Sequence, residues 1–153
     1  VGSKEIALPI LYYAEQRELS LSLVFSLVWV ESRFKPTAVN RNSTSIDRGL
    51  FQLNNRSFPH LSENDFFDTH VNARHGTSYL RFSLNQFSDW QKALAVYNAG
   101  LSRVRANEIP SSTKVYVTRV SAYREYVEKR FRRYITERFP LPTGIRIADD
   151  NRT

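Results

Sequence analysis

The sequence predicts a single all-α or mainly α domain with at most one short hairpin, and three observations predict it. Apolar residues recur at spacings of three and four along most segments instead of alternating. The chain has 153 residues, 41% of them hydrophobic and 24% charged, which suits one core of useful size. No Pro or Gly cluster and no internal repeat divides it, so residues 1–140 read as one domain and residues 141–153 as a loosely held tail.

Each element has its own justification. In residues 6–17, Ile6, Ile10, Tyr13 and Ala14 mark one face of a first helix. Ser20 or Ser22 can cap a second, in which Leu21, Leu23, Val24, Phe25, Leu27, Val28, Trp29 and Val30 leave no polar face. That helix should be buried on nearly every side and form the centre of the fold. The same apolar stretch is interrupted by Ser20, Ser22 and Ser26 and falls short of the ~20 residues a membrane span needs. Residues 34–55 are polar and turn-rich, which predicts a long loop, with any hairpin inside residues 40–54.

Asp68 or Thr69 can cap a helix that runs to about Phe87 and turns Val71, His75, Tyr79 and Phe82 toward the core. Asp89 can cap the next, which sets Trp90, Ala93, Leu94 and Tyr97 on one stripe and stops at Gly100. A last helix should follow Ser112 or Thr113 and continue to about Phe139, where Pro140 and Pro142 end it.

Charge and composition narrow the chemistry. Lys and Arg number 22 against 15 Asp and Glu, a net charge of +7, which suits a phosphate polymer, an anionic cell-envelope polymer or an acidic membrane surface. Much of the excess lies in residues 114–138, where eight basic residues face three acidic ones. The chain has no Cys, and its three His lack zinc spacing, so neither a thiol nucleophile nor a metal centre is expected. It starts at Val1 and holds no Met, so the natural start reads as processed or cut away, and localisation has to follow from function.

Glu31 is the leading catalytic candidate. It follows Val24, Leu27 and Val28 by seven, four and three positions, so helical geometry stacks its carboxyl on an apolar face. Lost hydration there raises a carboxyl pKa, as a general acid working near neutrality requires. The competing reading sends the side chain into solvent at the last helical turn. Beyond the polar loop, Gln52 and Asn54 offer amides that can read hydroxyl and acetamido groups, beside Gly49, which permits close backbone approach. Tyr97, Asn98, Ala99 and Gly100 form a similar cluster, equally readable as a core Tyr and a helix cap.

In this order, Glu31-Ser32-Arg33-Phe34, Gly49-Leu50-Phe51-Gln52-Leu53-Asn54 and Tyr97-Asn98-Ala99-Gly100 resemble the motifs of soluble lytic transglycosylases and goose-type lysozymes. Asn72 and Gly76 sit where that family has an Asn and a Gly opening its middle helix, and Tyr79-Leu80 resembles its aromatic-Leu pair. The segment from Ser112 through Val117 looks like its last motif, and the resemblance covers roughly residues 19–131. It implies a lysozyme-like fold and cleavage of peptidoglycan glycan strands between N-acetylmuramic acid and N-acetylglucosamine, with closure of a 1,6-anhydro ring and no cofactor or metal. It further implies a monomer acting in the periplasm or cell envelope.

Carried over residue by residue, Glu31 matches the family's only catalytic carboxylate, which serves as acid and then base while the substrate's acetamido group assists. Ser32 matches a supporting residue, Gln52 one that lines the sugar cleft, and Tyr97 a Tyr whose hydroxyl lies close to the carboxylate. Asn98 orders the same wall, and Tyr116 is a weaker match. The pattern departs in three places: residues 42–49 replace the usual Ser-x-x-Gly-Ala-x-Gly run, the interval from Glu31 to Gln52 is long, and Ser112 stands for a Glu. The first two departures resemble the small wall-remodelling transglycosylases of secretion systems.

Rival readings remain open. Asp47, if near Glu31, would permit direct attack by water and a lysozyme-type hydrolase, although a turn or cap role suits it as well. A non-catalytic glycan-binding module is a second rival. A nucleic-acid binder is the third, supported only by the basic stretch with Tyr116, Tyr123, Tyr126, Phe131 and Tyr134, whose near-helical spacing predicts that most of them are core.

Overall fold

The computed structural model describes residues 2–139, within which the helical periodicity becomes seven helices and one small sheet. Helix α1 spans Lys4–Glu15 and seals Ile10 and Ala14 in the core. Its last turn is followed by Arg17 and Glu18, whose carbonyls accept from the guanidinium of Arg81, so a cation answers the negative helix end. Helix α2, Leu21–Ser32, follows at once and buries Leu23, Val24, Leu27 and Val28 between its neighbours, whereas Phe25, Trp29 and Val30 are half-buried and Leu21 is exposed, so it is less enclosed than its unbroken apolar surface predicts. Neither candidate serine caps by side chain: Ser20 holds the cap position without such a bond, and Ser22 lies inside the first turn. Ser20 and Ser22 share a hydrogen bond, and Ser22 reaches across to Glu128.

The turn-rich segment holds the expected hairpin and more. Strands β1 (Val39–Arg41) and β2 (Ile46–Arg48) pair antiparallel, and β3 (Leu53–Asn54) adds a third strand against β2. Two residues of strand are too short to leave a period in the sequence, and side-chain amides supply what so few backbone bonds cannot. Two short helices also went unpredicted. Helix α3 (Glu63–Phe67) opens with a capping box between Ser62 and Asp65, and α6 (Leu101–Arg105) starts straight after Gly100.

Helix α4, Thr69–Gln86, is capped by Asp68 at the Val71 amide, as expected, but its inward face differs from the expected one. Asn72, Ala73, Gly76, Thr77, Leu80 and Ser83 are buried, whereas Val71, His75 and Tyr79 are half-buried and Phe82 is exposed. The reason is Phe51. A Cβ on Gly76 would lie 2.2 Å from the Phe51 ring, so the helix presents small residues to admit an aromatic from the loop. Helix α5, Trp90–Ala99, is capped by Asp89 at Gln91 and ends at Gly100 with φ +87°, a backbone that side-chain-bearing residues rarely adopt.

Helix α7, Ser111–Arg138, packs only through its first half. Tyr116 and Val120 are buried and Tyr123 stacks on Trp29 with centroids 5.0 Å apart. Contrary to the core placement expected from their spacing, Tyr126, Phe131 and Tyr134 are exposed, because the body ends beneath them. Helix α2 therefore lies at the centre, packed on α1 and α7, with α4 and α5 completing the bundle and the sheet on one side. The expected tail and the prolines ending α7 lie outside the described residues.

Candidate active site

Two left-handed residues in succession, Arg33 at φ 53° and Phe34 at φ 61°, end α2 and turn the chain toward the sheet. Glu31 is left in the final helical turn, at the wall of a cleft of about 770 Å³ between the sheet and the start of α6. The residue keeps an opening onto the cleft while its carboxyl lies deep among protein atoms. Burial raises its pKa from 4.5 to about 8 against the opposing hydrogen bond from Tyr116, and the charge of Asp47 adds to the rise. Glu31 thus does not escape to solvent, and at neutral pH it holds a proton it can give.

Tyr116 comes from α7, where it is 8% exposed and donates its hydroxyl to Glu31 Oε1 at 2.6 Å. The engaged oxygen fixes the carboxyl, so Oε2 is the oxygen left to carry the transferable proton. Tyr97 behaves differently from the expectation that its hydroxyl serves the carboxylate: it donates to the Phe51 carbonyl at 2.9 Å. Its ring lies 5.2 Å from that of Tyr79 and both line the cleft. Burial and the nearby Glu31 charge hold both Tyr97 and Tyr116 hydroxyls well above the usual phenol range, so both remain donors.

The opposite wall is the sheet. Asp47 lies in β2 directly opposite Asn54 of β3, and Asn54 Nδ2 donates to Asp47 Oδ1 at 2.7 Å while Asn42 Nδ2 donates to Oδ2 at 2.8 Å. Asp47 is therefore a strand residue that organises amides, not a turn residue, and it shares the cleft with Glu31. Gln52 sits at φ 48° and spends its amide hydrogens on the Gly49 carbonyl at 2.8 Å and the Ala38 carbonyl at 3.2 Å. Its Oε1 is left unengaged by the described residues and able to accept from a ligand. Strained backbone of this kind collects at functional sites.

Asn98 lines the cleft, with its Oδ1 occupied by the Thr113 hydroxyl at 2.7 Å and its amide hydrogens left over. Ser32 is placed elsewhere: it is buried, bonds back to the Val28 carbonyl at 3.2 Å and is not part of the cleft wall. Of the seven residues singled out from sequence, the structure thus gathers Glu31, Gln52, Asn54, Tyr97 and Asn98 around one cleft, adds Tyr116 behind Glu31, and leaves Ser32 inside the helix. Among the described residues no group of three His, Cys, Asp or Glu is gathered as metal ligands would be.

Sequence reasoning marked the position of Asn72 by resemblance but not its role, and missed a second contribution altogether. Asn72, 1% exposed, takes the Phe51 amide on Oδ1 at 2.8 Å and gives its own hydrogens to the Phe66 and Arg48 carbonyls at 2.8 and 3.1 Å. It clamps the turn that delivers Gln52, and a Cβ on Gly49, at φ +78°, would collide with that clamp at 2.2 Å. The other is Arg103 of α6, the one basic residue on the cleft wall among the described residues; the spacing of Leu101 and Val104 was its only local signal.

Two comparisons with known proteins bear on the family and the fold. A family model described as the transglycosylase SLT domain matches residues 9–115. Among solved structures the chain is similar to the X-ray structure of an inactive mutant of the lytic transglycosylase Slt from Pseudomonas aeruginosa, with a TM-score of 0.68 and 25% identity. The match covers 82% of this chain and 24% of that one, so the chain spans about a quarter of that protein's length. No curated protein matches the chain.

Proposed function

The chain belongs to the transglycosylase SLT domain family, and from that membership we propose that it is a peptidoglycan lytic transglycosylase. The bond cut is the β-1,4 link between N-acetylmuramic acid and N-acetylglucosamine, and the product ends in 1,6-anhydromuramic acid. The observation that carries the reading is Glu31, a single buried carboxyl with its pKa raised to about 8, held by Tyr116 and open to a polar cleft.

In this reading Glu31 gives its proton to the glycosidic oxygen as the bond to the muramyl C1 breaks. The substrate's acetamido oxygen shields the electron-poor carbon, in keeping with substrate-assisted glycosidases. The carboxylate so formed then takes the proton of the muramyl C6 hydroxyl while that oxygen bonds to C1. Glu31 ends as it began, and no water is consumed. Gln52 Oε1, the Asn98 amide and Arg103 supply polar contacts for the glycan, while Tyr97 and Tyr79 offer ring surface for sugar faces. A peptidoglycan substrate puts the site of action in the periplasm or cell envelope.

Asp47 supports a second reading, lysozyme-type hydrolysis, because it shares the cleft and acts on Glu31 through its charge. Both its oxygens already accept from amides, which favours an organising role. Mass spectrometry of muropeptides released from purified sacculi separates the two, since an anhydro end is lighter by one water. Only reducing ends, together with loss of activity in Asp47→Asn, would replace the transglycosylase with the hydrolase. Sacculus binding without any release would leave a glycan-binding module.

A further inference from the structure

The second half of α7 is the largest feature of the molecule that the cleft leaves unused. Every residue from 129 to 139 is exposed, and the last side-chain tie to the body is the knot in which Glu128 accepts from Ser22 at 2.6 Å and from Arg124 at 2.9 Å. At ~1.5 Å rise per residue the helix projects about 15 Å further. A short helix that touches nothing is marginal in water.

This tip is amphipathic. Val127, Phe131, Tyr134 and Ile135 follow one another at steps of four, three and one, which places them on one face, and Phe131 and Tyr134 are 62% and 57% exposed. Phe139, 63% exposed, extends that face at the helix end. Lys129, Arg130, Arg132 and Arg133 flank it and Arg138 lies on the same face in the last turn, while Glu137 is the single acidic residue from 129 to 139 and is paired with Arg133 at 2.8 Å. The family match ends at residue 115, ahead of the tip.

We propose that the α7 tip is an interfacial helix that docks the enzyme on an anionic lipid bilayer, with Phe131, Tyr134, Ile135 and Phe139 entering the headgroup boundary and the cations on the headgroups. Charge complementarity selects this occupant. A second copy would set five cations against five, and a nucleic acid or a glycan strand would answer the charges but give the Ile135 and Phe139 surface nothing apolar to enter. Anionic headgroups over acyl chains answer both demands, and Tyr, Phe and Arg are residues that such interfaces favour. Docking would be peripheral, as no helix among the described residues is long and apolar enough to cross a membrane.

The test is flotation of the full chain with vesicles of phosphatidylglycerol and phosphatidylcholine, beside vesicles of phosphatidylcholine alone. Binding is expected to the anionic vesicles only and to weaken with salt. Phe131→Ser/Ile135→Ser, which keeps the charge, and Arg132→Glu/Arg133→Glu, which keeps the apolar face, should each weaken binding by more than about tenfold. Both sites are exposed, so circular dichroism and turnover of a soluble glycan oligomer should stay at wild-type values, which keeps the outcome independent of the enzymatic reading. Absence of anionic-vesicle binding overturns the proposal, as does binding indifferent to the Phe131/Ile135 change. Tight duplex-DNA binding that survives that change would assign the tip to nucleic acid, and a concentration-dependent dimer lost with it would assign the tip to a second copy.

Discussion

Glu31 and Tyr116 stand 85 positions apart in sequence and 2.6 Å apart in space, and their hydrogen bond sets what each does. Glu31→Gln removes the transferable proton, so glycan cleavage should fall by several orders of magnitude while binding through Gln52 and Asn98 persists. The same variant reports the burial cost. The wild-type carboxyl keeps its proton in the folded state up to about pH 8, whereas the unfolded chain releases it near 4.5, so stability declines as pH rises through that window. Thermal melting should therefore show the variant's advantage appearing above about pH 4.5, growing to about pH 8 and then holding level; an advantage independent of pH would refute the raised pKa. Tyr116→Phe deletes a bond that favours the carboxylate, so the alkaline limb of the pH–rate profile should move upward while turnover drops by about 10- to 100-fold. Tyr97→Phe is the contrast, since its hydroxyl serves the Phe51 carbonyl: it should cost about 1 to 3 kcal/mol of stability in denaturant titration and leave the limb in place.

At the scale of elements, the cleft depends on a sheet whose third strand has only two residues, so side chains hold it. Asn72 of α4 is the main fastener, with two buried hydrogen bonds, to the turn and to α3, and a part-buried third to the end of β2. Asn72→Ala should cost at least about 3 kcal/mol in chemical denaturation and raise KM more than a surface change would, because Gln52 loses its fixed position; a neutral variant would show that Gly49 and Phe51 hold the turn unaided. Much of the scaffold was legible in sequence for physical reasons. The caps at Asp68 and Asp89 and the apolar surface of α2 are local patterns, and helical stacking set Glu31 on the apolar face of its own helix while leaving its escape into solvent open. What could not be read was set by distant partners. The inner face of α4 is composed of small residues because Phe51 comes to it from a loop, and the choice of Tyr116 over Tyr97 as the partner of Glu31 depends on how α7 crosses α2. Ser32 shows the same limit from the other side, since a motif position next to the catalytic candidate turns inward to its own helix.

For the molecule as a whole, charge and chemistry are kept apart. The net +7 lies largely outside the cleft, whose wall carries, among the described residues, the Glu31 and Asp47 carboxyls and one Arg, whereas eight basic residues lie along residues 114–138 and most of that helix is exposed. Fields from exposed cations are screened beyond ~8 Å at physiological ionic strength, but the proton transfers proposed for Glu31 would take place at contact distance in a partly desolvated pocket. Salt should therefore act on encounter and not on chemistry. On purified sacculi, an anionic wall polymer, the apparent KM should rise steadily with ionic strength while kcat stays level; on a glycan oligomer whose muramyl carboxyls are capped as neutral amides neither should move. The comparison is decisive because the two substrates share the scissile bond and differ in charge. A kcat that falls with salt on both would place a charge–charge contact inside the catalytic step, with Asp47 the first residue to examine, and a KM indifferent to salt on sacculi would release the basic surface from any part in finding the wall and leave it to the lipid surface alone.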